Sequence, residues 1–586
     1  MRLPAFLLVV FAVKLIVAFQ LDQHPLLAPD SGLDTAAHLA LARRVLGGDV
    51  LLGPGLYYMS PLYTYFLAGA LFLRDSVMFV RAVQAALGTI AVGCVTVMAT
   101  QWFGARAGWI AGIIAAVTGE FTFYEILILQ SSLDTCLTAA ALLLLTFALT
   151  RGTAVRYGAA SGLVFGLSVL NRPNMGIALT IVVVVIAASR RWRLAAAISV
   201  GVICCLAPVV ARNAIVSHEL AVLSSQGGLN FYIGNHSAAT GQYVPVPGVR
   251  SNIEGQSEDT QGVASQALGH PVTDAEASSY FAERAFGWMR SEPSAAARLF
   301  VKKVLLVFNW RHQWLDYSYP YYAHDLDSLL RVLVFGPWLI LPLGLAGLFV
   351  LTGTAGPKPF GVWAMFVPAY AIAVAVFFVA ERYRLPLLIA LCVPAGALVD
   401  RMLALGQVAA RQAVFAAAGV AGACVVAFWP FHLETGQFEE RLRLSKVLMN
   451  RGDFDGAERE LDAAHALRPR DLVTEFNFGV ALVSAGRTAE GIESMRHAVE
   501  GGVEVPGARY ALAGAIMKTG DRAGAAALIH DFAPDPGDDA DSCYHVALLA
   551  VDAREFGVAR RFLARALQLR PGWPEAERTL ARIQSE

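Results

Sequence analysis

The apolar positions of this chain fall into long continuous runs that are separated by short polar connections. A helix needs about 20 apolar residues to cross the hydrocarbon layer of a membrane, so each run bounded by charge, Gly or Pro predicts one span. A signal peptide is the alternative for the first run, because Arg2 precedes its apolar core, but residues Phe19 to His24 offer no small-residue cleavage site. We therefore expect the first run to remain as a membrane helix. About eleven spans are predicted on this basis, at residues 4–21, 79–101, 107–121, 132–150, 157–171, 175–189, 194–211, 329–351, 360–379, 385–400 and 412–429.

The composition agrees with a membrane protein. Of the 586 residues, 56% are hydrophobic and 16% are charged, and the mean hydropathy is +0.53. These values lie outside the usual range of soluble domains, so most of the chain must face lipid. Lys+Arg and Asp+Glu number 46 each, so the net charge gives no reason to expect nucleic acid as a partner. The seven cysteines show neither a disulfide framework nor the spacing of a zinc site.

Cations mark one side of the predicted membrane domain. Counted from a cytoplasmic N-terminus, the short cationic connections all fall on the same side, as the positive-inside rule requires. The exoplasmic side then receives the loops 22–78 and 212–327, several short turns and everything after Trp429. Most of the unusual polar residues lie in these segments, so the sequence predicts a polar site on the exoplasmic face, which is periplasmic if the chain lies in a bacterial inner membrane. The cations that fix this orientation are Arg106, Arg151, Arg156, Arg190, Arg191, Arg193, Lys358, Arg401 and Arg411.

The last part of the chain repeats with a fixed period. Gly452, Gly486 and Gly520 recur at intervals of 34 residues, and Arg554 occupies the next position in the series. This spacing is typical of tetratricopeptide repeats, in which stacked helix pairs bury a continuous core. We predict a membrane domain at residues 1–430 and an α-solenoid of such repeats at residues 431–586. The repeats would bind a peptide or protein partner; a rigid spacer is the alternative.

The first exoplasmic loop contains the first group of candidate site residues. Asp30 and Asp34 precede an amphipathic stretch, and the spacing from Asp34 to His38 puts a carboxylate and an imidazole on one helix face. An ordinary helix N-cap is the alternative role for Asp34. Tyr63 follows in an aromatic segment before the second span.

Two charged residues lie in or beside predicted spans, where a charge is costly unless it is used or paired. Glu125 stands between Tyr124 and the apolar run that begins at Ile126, so it is the functional candidate of the second exoplasmic turn. Lys14 lies in the middle of the first span. A partner carboxylate and contact with a lipid headgroup both remain open for Lys14.

Three arginines are predicted at the same membrane face. Arg172 follows one span, and Arg382 and Arg384, with Tyr383 between them, precede another. The guanidinium fork suits phosphate oxygens, which it binds bidentately, although arginines at helix ends also reach towards lipid headgroups. In the long loop, residues 226–236 combine glycines, amides and aromatics, with Asn235 near their end, which is typical of a ligand-facing turn; packing of the loop explains them nearly as well.

Taken in order, these features resemble polytopic GT-C glycosyltransferases. They are the acidic first loop, the Pro61-Leu62-Tyr63 triplet before the second span, the Tyr124-Glu125 pair, the Arg172-Pro173 pair and the segment from Arg382 to Pro386. The resemblance is to the group that contains dolichyl-phosphate-mannose protein mannosyltransferases and the aminoarabinose transferase acting on lipid A, in its branch with tetratricopeptide tails. It covers residues 1–430, and the repeats continue it to the end.

The resemblance implies transfer of a sugar from a polyprenyl-phosphate donor to a protein, glycan or lipid acceptor. It implies that Asp34 is the base or orients the acceptor, and that Glu125 is the second acid. Arg382, Arg384 and, more weakly, Arg172 would hold the donor phosphate, while Asp30, His38, Tyr63, Tyr383 and Asn235 are weaker substrate-binding candidates. One displacement would invert the anomeric centre.

A divalent ion between carboxylate and phosphate fits the chemistry, but no His/Asp cluster in the sequence requires one, so the need for a metal ion stays undecided.

Two other classes of protein stay open. A transporter or flippase would need intramembrane charge and broken helices at the midplane, whereas here the polar residues lie on one face. An assembly scaffold would need only one anchoring helix.

Overall fold

The computed structural model describes residues 2–29, 34–219, 224–251, 253–352, 359–404, 410–469, 471–503, 505, 507–530 and 540–584. Within these residues every regular element is a helix, apart from isolated β-bridges. The predicted all-α fold class is therefore confirmed. The chain divides into two compact units, Met1–Gly436 and Gln437–Glu586.

The first unit contains the apolar helices. Short 3-10 helices lie at Pro25–Leu27 and Leu329–Val332, and one π-helical turn lies at Tyr321–Asp325. The α-helices are α1 Leu3–Leu21, α2 Asp34–Leu46, α3 Pro61–Leu73, α4 Val77–Phe103, α5 Ala105–Val117, α6 Gly119–Ile126, α7 Ser131–Thr150, α8 Ala154–Asn171, α9 Met175–Ala188, α10 Trp192–Val216, α11 Gly227–Gly234, α12 Ile253–Leu268, α13 Asp274–Ser291, α14 Pro293–Val307, α15 Pro337–Val350, α16 Phe360–Ala364, α17 Phe366–Ala375, α18 Glu381–Leu403 and α19 Ala410–Ala427.

Five helices of the described residues are both long and apolar enough to cross a membrane: α1, α4, α7, α10 and α18. Shorter apolar helices include α3, α5, α9 and α15, together with the stretch that spans α16 and α17. A bundle with this many apolar helices is a multi-pass membrane domain. The count of eleven spans stays a prediction.

Three predicted spans are interrupted in the structure, and one of them, the run 329–351, is not helical between the 3-10 helix Leu329–Val332 and α15, which begins at Pro337. The run 107–121 is broken at Thr118, whose extended backbone separates α5 from α6. The Thr118 hydroxyl donates to the carbonyl of Ile114 at 2.6 Å, and the N–H of Gly119 donates to the carbonyl of Phe335 at 3.1 Å, so this break is satisfied by local and long-range hydrogen bonds. The run 360–379 is likewise divided at Met365. Hydropathy alone does not register such interruptions.

Small residues allow the apolar helices to approach closely. A Cβ atom at Gly162 of α8 would lie 2.1 Å from the carbonyl oxygen of Ile198 on α10, so only glycine fits there. Close backbone approach at glycine is a common way to pack membrane helices, because lipid supplies no hydrophobic driving force between them. Gly162 therefore allows the backbones of α8 and α10 to approach closely at this point.

The second unit is a series of helix hairpins. Its helices are α20 Gln437–Asn450, α21 Phe454–Leu467, α22 Leu472–Ser484, α23 Thr488–Glu500, α24 Ala508–Lys518, α25 Arg522–His530, α26 Ala540–Asp552, α27 Phe556–Leu569 and α28 Pro574–Gln584. The residues spaced 34 apart all adopt left-handed backbone, with φ of 80° at Gly452, 86° at Gly486 and Gly520, and 64° at Arg554. Each lies in the turn between the two helices of a hairpin, where a left-handed residue ends the first helix. The tetratricopeptide assignment stays a prediction.

Candidate active site

A cavity of about 280 Å³ lies among the helix ends of the first unit. Its volume is close to the lower end of the range for small-molecule sites, about 300 to 1,000 Å³. The wall combines apolar side chains such as Phe377 and Phe378 with a larger set of polar ones. The polar residues that line it are Asp34, His38, Ser60, Gln130, Arg172, Asn174, Ser224, Gln226, Asn230, Tyr243, Ser251, Gln256, Asp316, Arg382 and Tyr383.

A charged cluster forms one part of this wall. Arg382, in the first turn of α18, donates from Nη1 to Oδ2 of Asp34 at 2.8 Å. The same nitrogen lies 3.0 Å from Oδ2 of Asp316. Asp34 is the first residue of α2, so two helix N-termini and the segment before Tyr317 meet at this point. The structure thus brings the predicted Asp34 and Arg382 together and adds a second carboxylate.

His38 lies one turn after Asp34 on the same face of α2 and is buried against Tyr63. The two rings meet edge to face, with centroids 4.8 Å apart, and the Tyr63 hydroxyl donates to Gln84 at 2.8 Å. Burial lowers the pKa of His38 to about 4, so the imidazole is neutral at ordinary pH. Its Nδ1 has no hydrogen-bond partner in the described part of the chain, and the residue lines the cavity. His38 therefore offers a neutral polar group to a ligand, whereas Tyr63 supports it from behind.

Arg172 and Tyr383 form a second polar group on the wall. Arg172 is buried and donates from Nε to Oδ2 of Asp134 at 2.7 Å. Its guanidinium carbon lies 4.7 Å from the centre of the Tyr383 ring, and that of Arg382 lies 5.5 Å from the same centre. The Tyr383 ring is therefore close to both guanidinium groups and favours their positive charge.

Glu125 does not line the cavity. Its carboxylate forms a buried ion pair with Lys14 and accepts a hydrogen bond from the Thr135 hydroxyl at 3.0 Å. Lys14 also donates to the Thr122 hydroxyl at 3.2 Å. Of the two explanations that the sequence left open for Lys14, the structure gives the partner carboxylate. The contact joins α1 to α6 and α7.

Arg384 is fully buried away from the cavity. It forms an ion pair with Glu381 one turn earlier and donates to the carbonyl oxygens of Asn309 and Arg311, the latter at 3.3 Å. The Glu381 carboxylate also accepts from the N–H of Gln313 at 2.9 Å. These bonds fix the first turn of α18, from which Arg382 projects.

Asn235 is also held by the protein itself. Its amide donates to the carbonyl oxygens of Phe231 and Val376, both at 2.8 Å, and its oxygen accepts from the buried Lys303 ammonium at 2.9 Å. Asn235 does not line the cavity, although the earlier part of the same stretch does, through Gln226 and Asn230. The remaining candidate, Asp30, lies outside the described residues.

Several lining residues were not predicted. Asp316 is the only acid in the aromatic-rich stretch 314–322, which was the available signal. Gln256 on α12 accepts hydrogen bonds at its Oε1 from the Gln226 amide and the Tyr58 hydroxyl, both at 2.9 Å, and so belongs to an ordered amide wall. Nothing in the local sequence of α12 marks Gln256, because its partners come from two distant segments.

The described residues contain no group of three or more His, Cys, Asp or Glu side chains that could share a metal ion. The two carboxylates of the cavity both contact the Arg382 guanidinium instead. The cationic partners in the described wall of the cavity are thus arginines, which suit oxygen-rich anions.

Residues 59–212 match one family model. This match covers 154 of the 586 residues and supports the resemblance to membrane glycosyltransferases that the sequence indicates, whereas the tetratricopeptide part of that resemblance stays a prediction. The matching family is described as dolichyl-phosphate-mannose-protein mannosyltransferase. The matched segment includes Tyr63, Glu125 and Arg172, whereas Asp34 and Arg382 lie outside it. Comparison of the sequence with curated proteins gives no match.

The chain is also similar to solved structures of membrane glycosyltransferases. ArnT from Cupriavidus metallidurans bound to undecaprenyl phosphate is 15% identical over 84% of this chain and 79% of that chain, with a TM-score of 0.36. Its apo state is 17% identical over 84% and 78%, with a TM-score of 0.38. The archaeal oligosaccharyltransferase AglB from Archaeoglobus fulgidus, in complex with an inhibitory peptide and a dolichol-phosphate, is 15% identical over 77% and 59%, with a TM-score of 0.35.

Proposed function

We propose that the membrane unit transfers a sugar from a polyprenyl-phosphate donor to an acceptor hydroxyl in the cavity at Asp34. One observation carries the proposal: the same cavity is lined by a carboxylate, Asp34, and by two arginines, Arg382 and Arg172. Sugar transfer from a lipid phosphate needs a base for the acceptor and positive charge for the departing phosphate. The description of the matched family, which names a lipid-phosphate sugar, supports the same donor class.

The chemistry is a single displacement. The acceptor oxygen forms a bond to the anomeric carbon, while the bond from that carbon to the phosphate oxygen breaks and its electron pair leaves with the phosphate. Asp34 takes the acceptor proton and later releases it to solvent. Arg382 and Arg172 stabilise the charge that develops on the phosphate. One displacement inverts the anomeric centre.

Glu125 and Arg384 do not contact the substrate in this mechanism. Both are committed to buried ion pairs, with Lys14 and Glu381, and neither lines the cavity. Their roles are to hold α1 against α6 and to fix the first turn of α18, which carries Arg382. His38, Tyr383 and the amide wall are left to contact the sugar or the acceptor.

The proposal also includes the side of the membrane on which the site lies and a role for the second unit. The cation distribution favours a site on the exoplasmic face, which is the periplasm if the chain lies in a bacterial inner membrane. We place the second unit on the same side, where it would recruit a protein acceptor or partner. A chain lacking residues 437–586 that kept its acceptor choice and its complexes would refute this role.

The test compares Asp34→Asn with the wild type in purified, detergent-solubilised full-length protein. Radiolabelled polyprenyl-phosphate sugars are supplied, and release of polyprenyl phosphate is measured. Loss of a general base lowers the rate by roughly 10² to 10⁴-fold, so release should fall by at least about 100-fold. Asp75→Asn is the matched control, because Asp75 is an exposed acid of the same loop outside the cavity.

Three results would count against the proposal. Release that is unchanged in a folded Asp34→Asn variant would remove Asp34 as the base. Movement of intact lipid-linked sugar across liposomes by the wild type, without release of polyprenyl phosphate, would favour the transporter class instead. Absence of both activities, in protein shown to be folded, would favour the scaffold.

A further inference from the structure

The Arg382 guanidinium is shared between two carboxylates from distant parts of the chain. Nη1 lies 2.8 Å from Oδ2 of Asp34 and 3.0 Å from Oδ2 of Asp316. An Nη nitrogen carries two hydrogens, so these two contacts use both of them. The Nε donor, by contrast, has no hydrogen-bond partner among the described residues. Arg382 therefore holds both carboxylates on Nη1, while its Nε has no partner in the described part of the chain that would compete with a further anion.

Asp316 is held in its place by the backbone. Its φ of 63° is in the left-handed region, which few residues other than glycine adopt, although Asp and Asn are enriched there. The next residue ties this segment to α2, because the Tyr317 hydroxyl lies 3.2 Å from the hydroxyl of Thr35, the neighbour of Asp34. A strained residue that the surrounding structure holds in one conformation is a candidate for a functional role.

Two carboxylates and one guanidinium leave one net negative charge at the base. Without the Asp316 charge, Arg382 would have Asp34 as its carboxylate partner in this cluster. During transfer Asp34 becomes neutral as it takes the acceptor proton, so its attraction for Arg382 falls. Asp316 then remains as the charged partner that keeps Arg382 in place.

We propose that Asp316 is a positioning residue for sugar transfer, which holds Arg382 in register with the departing phosphate while Asp34 takes up the acceptor proton. This rests on the proposed function of the same cavity. Asp316 also adds a negative charge close to the phosphate site, so it weakens binding of the anionic lipid product. Its effects on turnover and on product affinity therefore have opposite signs.

The test uses the full chain with Asp316→Asn, because asparagine tolerates left-handed backbone and removes only the charge. Turnover number is expected to fall at least about tenfold, while the affinity for undecaprenyl phosphate rises about threefold to tenfold. Asp316→Gly also tolerates this φ and should show the same opposite changes. Asp327→Asn is the control, because Asp327 is an exposed acid of the same long loop.

Opposite changes in turnover and affinity in both variants would establish the proposal. Unchanged turnover in Asp316→Asn would overturn it. A parallel loss of turnover, affinity and thermal stability in both variants would also overturn it, since that pattern marks a purely structural residue. Failure of the proposed function is distinguishable: the wild type would then release no polyprenyl phosphate from any donor, and neither variant would bind the lipid phosphate more tightly.

Discussion

The buried pair of Lys14 and Glu125 can be removed one charge at a time or as a unit. Lys14→Met leaves the Glu125 carboxylate with the hydrogen bond that it accepts from the Thr135 hydroxyl. Glu125→Gln leaves the Lys14 ammonium with the Thr122 hydroxyl. The double variant replaces both charges by neutral side chains of similar size, and the glutamine can still accept from Thr135.

The magnitude follows from burial. Both side chains are 2% exposed, so neither charge can recover hydration when its partner is lost. Breaking a buried ion pair by removing one partner costs about 3 to 5 kcal/mol, whereas replacing both partners by neutral groups is often neutral or stabilising. We expect each single variant to lose about 3 to 5 kcal/mol of unfolding free energy and the double variant to stay within about 1 kcal/mol of the wild type.

The assay has two readouts. Unfolding of the purified protein in mixed micelles is followed by circular dichroism as the fraction of denaturing detergent rises. Release of polyprenyl phosphate is measured for the same samples. Because the pair lies outside the cavity, the double variant should retain turnover within about threefold of the wild type.

Either readout can contradict this reasoning. A double variant as unstable as the singles would show that the two charges are not coupled in the folded protein. A double variant that is stable but inactive would show that Glu125 acts on a substrate, and the role inferred from its placement would then be wrong.

Two further predictions concern a buried histidine and a left-handed turn. His38 has a folded-state pKa of about 4 against 6.5 for the free side chain, so the unfolded chain binds the extra proton first and about 3 kcal/mol of stability is lost as pH falls from 6.5 to 4. The unfolding free energy is measured at both pH values. Between pH 6.5 and pH 4 it should fall less in His38→Phe than in the wild type, whereas the variant of the exposed residue, His270→Phe, should match the wild type. Equal decreases in all three proteins would contradict the pKa assigned to His38. Arg554→Gly should stabilise the second unit by about 0.5 to 1 kcal/mol, because Arg554 holds a φ of 64°, while Gly486→Ala should destabilise it by about 1 kcal/mol. Thermal unfolding checks both changes, and a lower midpoint for Arg554→Gly would refute the argument.

Much of the site could be predicted because polar residues are excluded from the hydrocarbon layer and therefore lie at one membrane face or the other. Asp34, Arg172 and Arg382 are distant in sequence, yet hydropathy and cation counts assign all three to one face, and the structure places them in one cavity. What hydropathy cannot give is side-chain direction. Arg382 and Arg384 were predicted to act as a pair, but residues two apart on a helix point about 200° apart. One therefore lines the cavity and the other is buried behind it.

Contacts between distant segments were the other limit. The partner of Glu125 lies 111 residues earlier, and the Gln256 amide is held by groups from two other parts of the chain. The spacing of residues within one segment does not predict contacts with a distant segment. Asp316 was missed for the same reason, since its importance comes from an arginine on α18 and from backbone conformation.

The Lys14–Glu125 pair also has a consequence for how the nascent chain enters the bilayer. A lysine at the centre of a membrane helix costs about 2.5 to 3.5 kcal/mol on insertion, so α1 depends on its other residues, which are almost all apolar. At about 5 to 20 residues per second, the ribosome needs roughly 5 to 20 s to add the 111 residues that separate the two charges. During that interval Glu125 has not yet been made. The arrival of α6 then supplies the counter-charge, so the docking of α1 through this pair cannot be completed before α6 has been made.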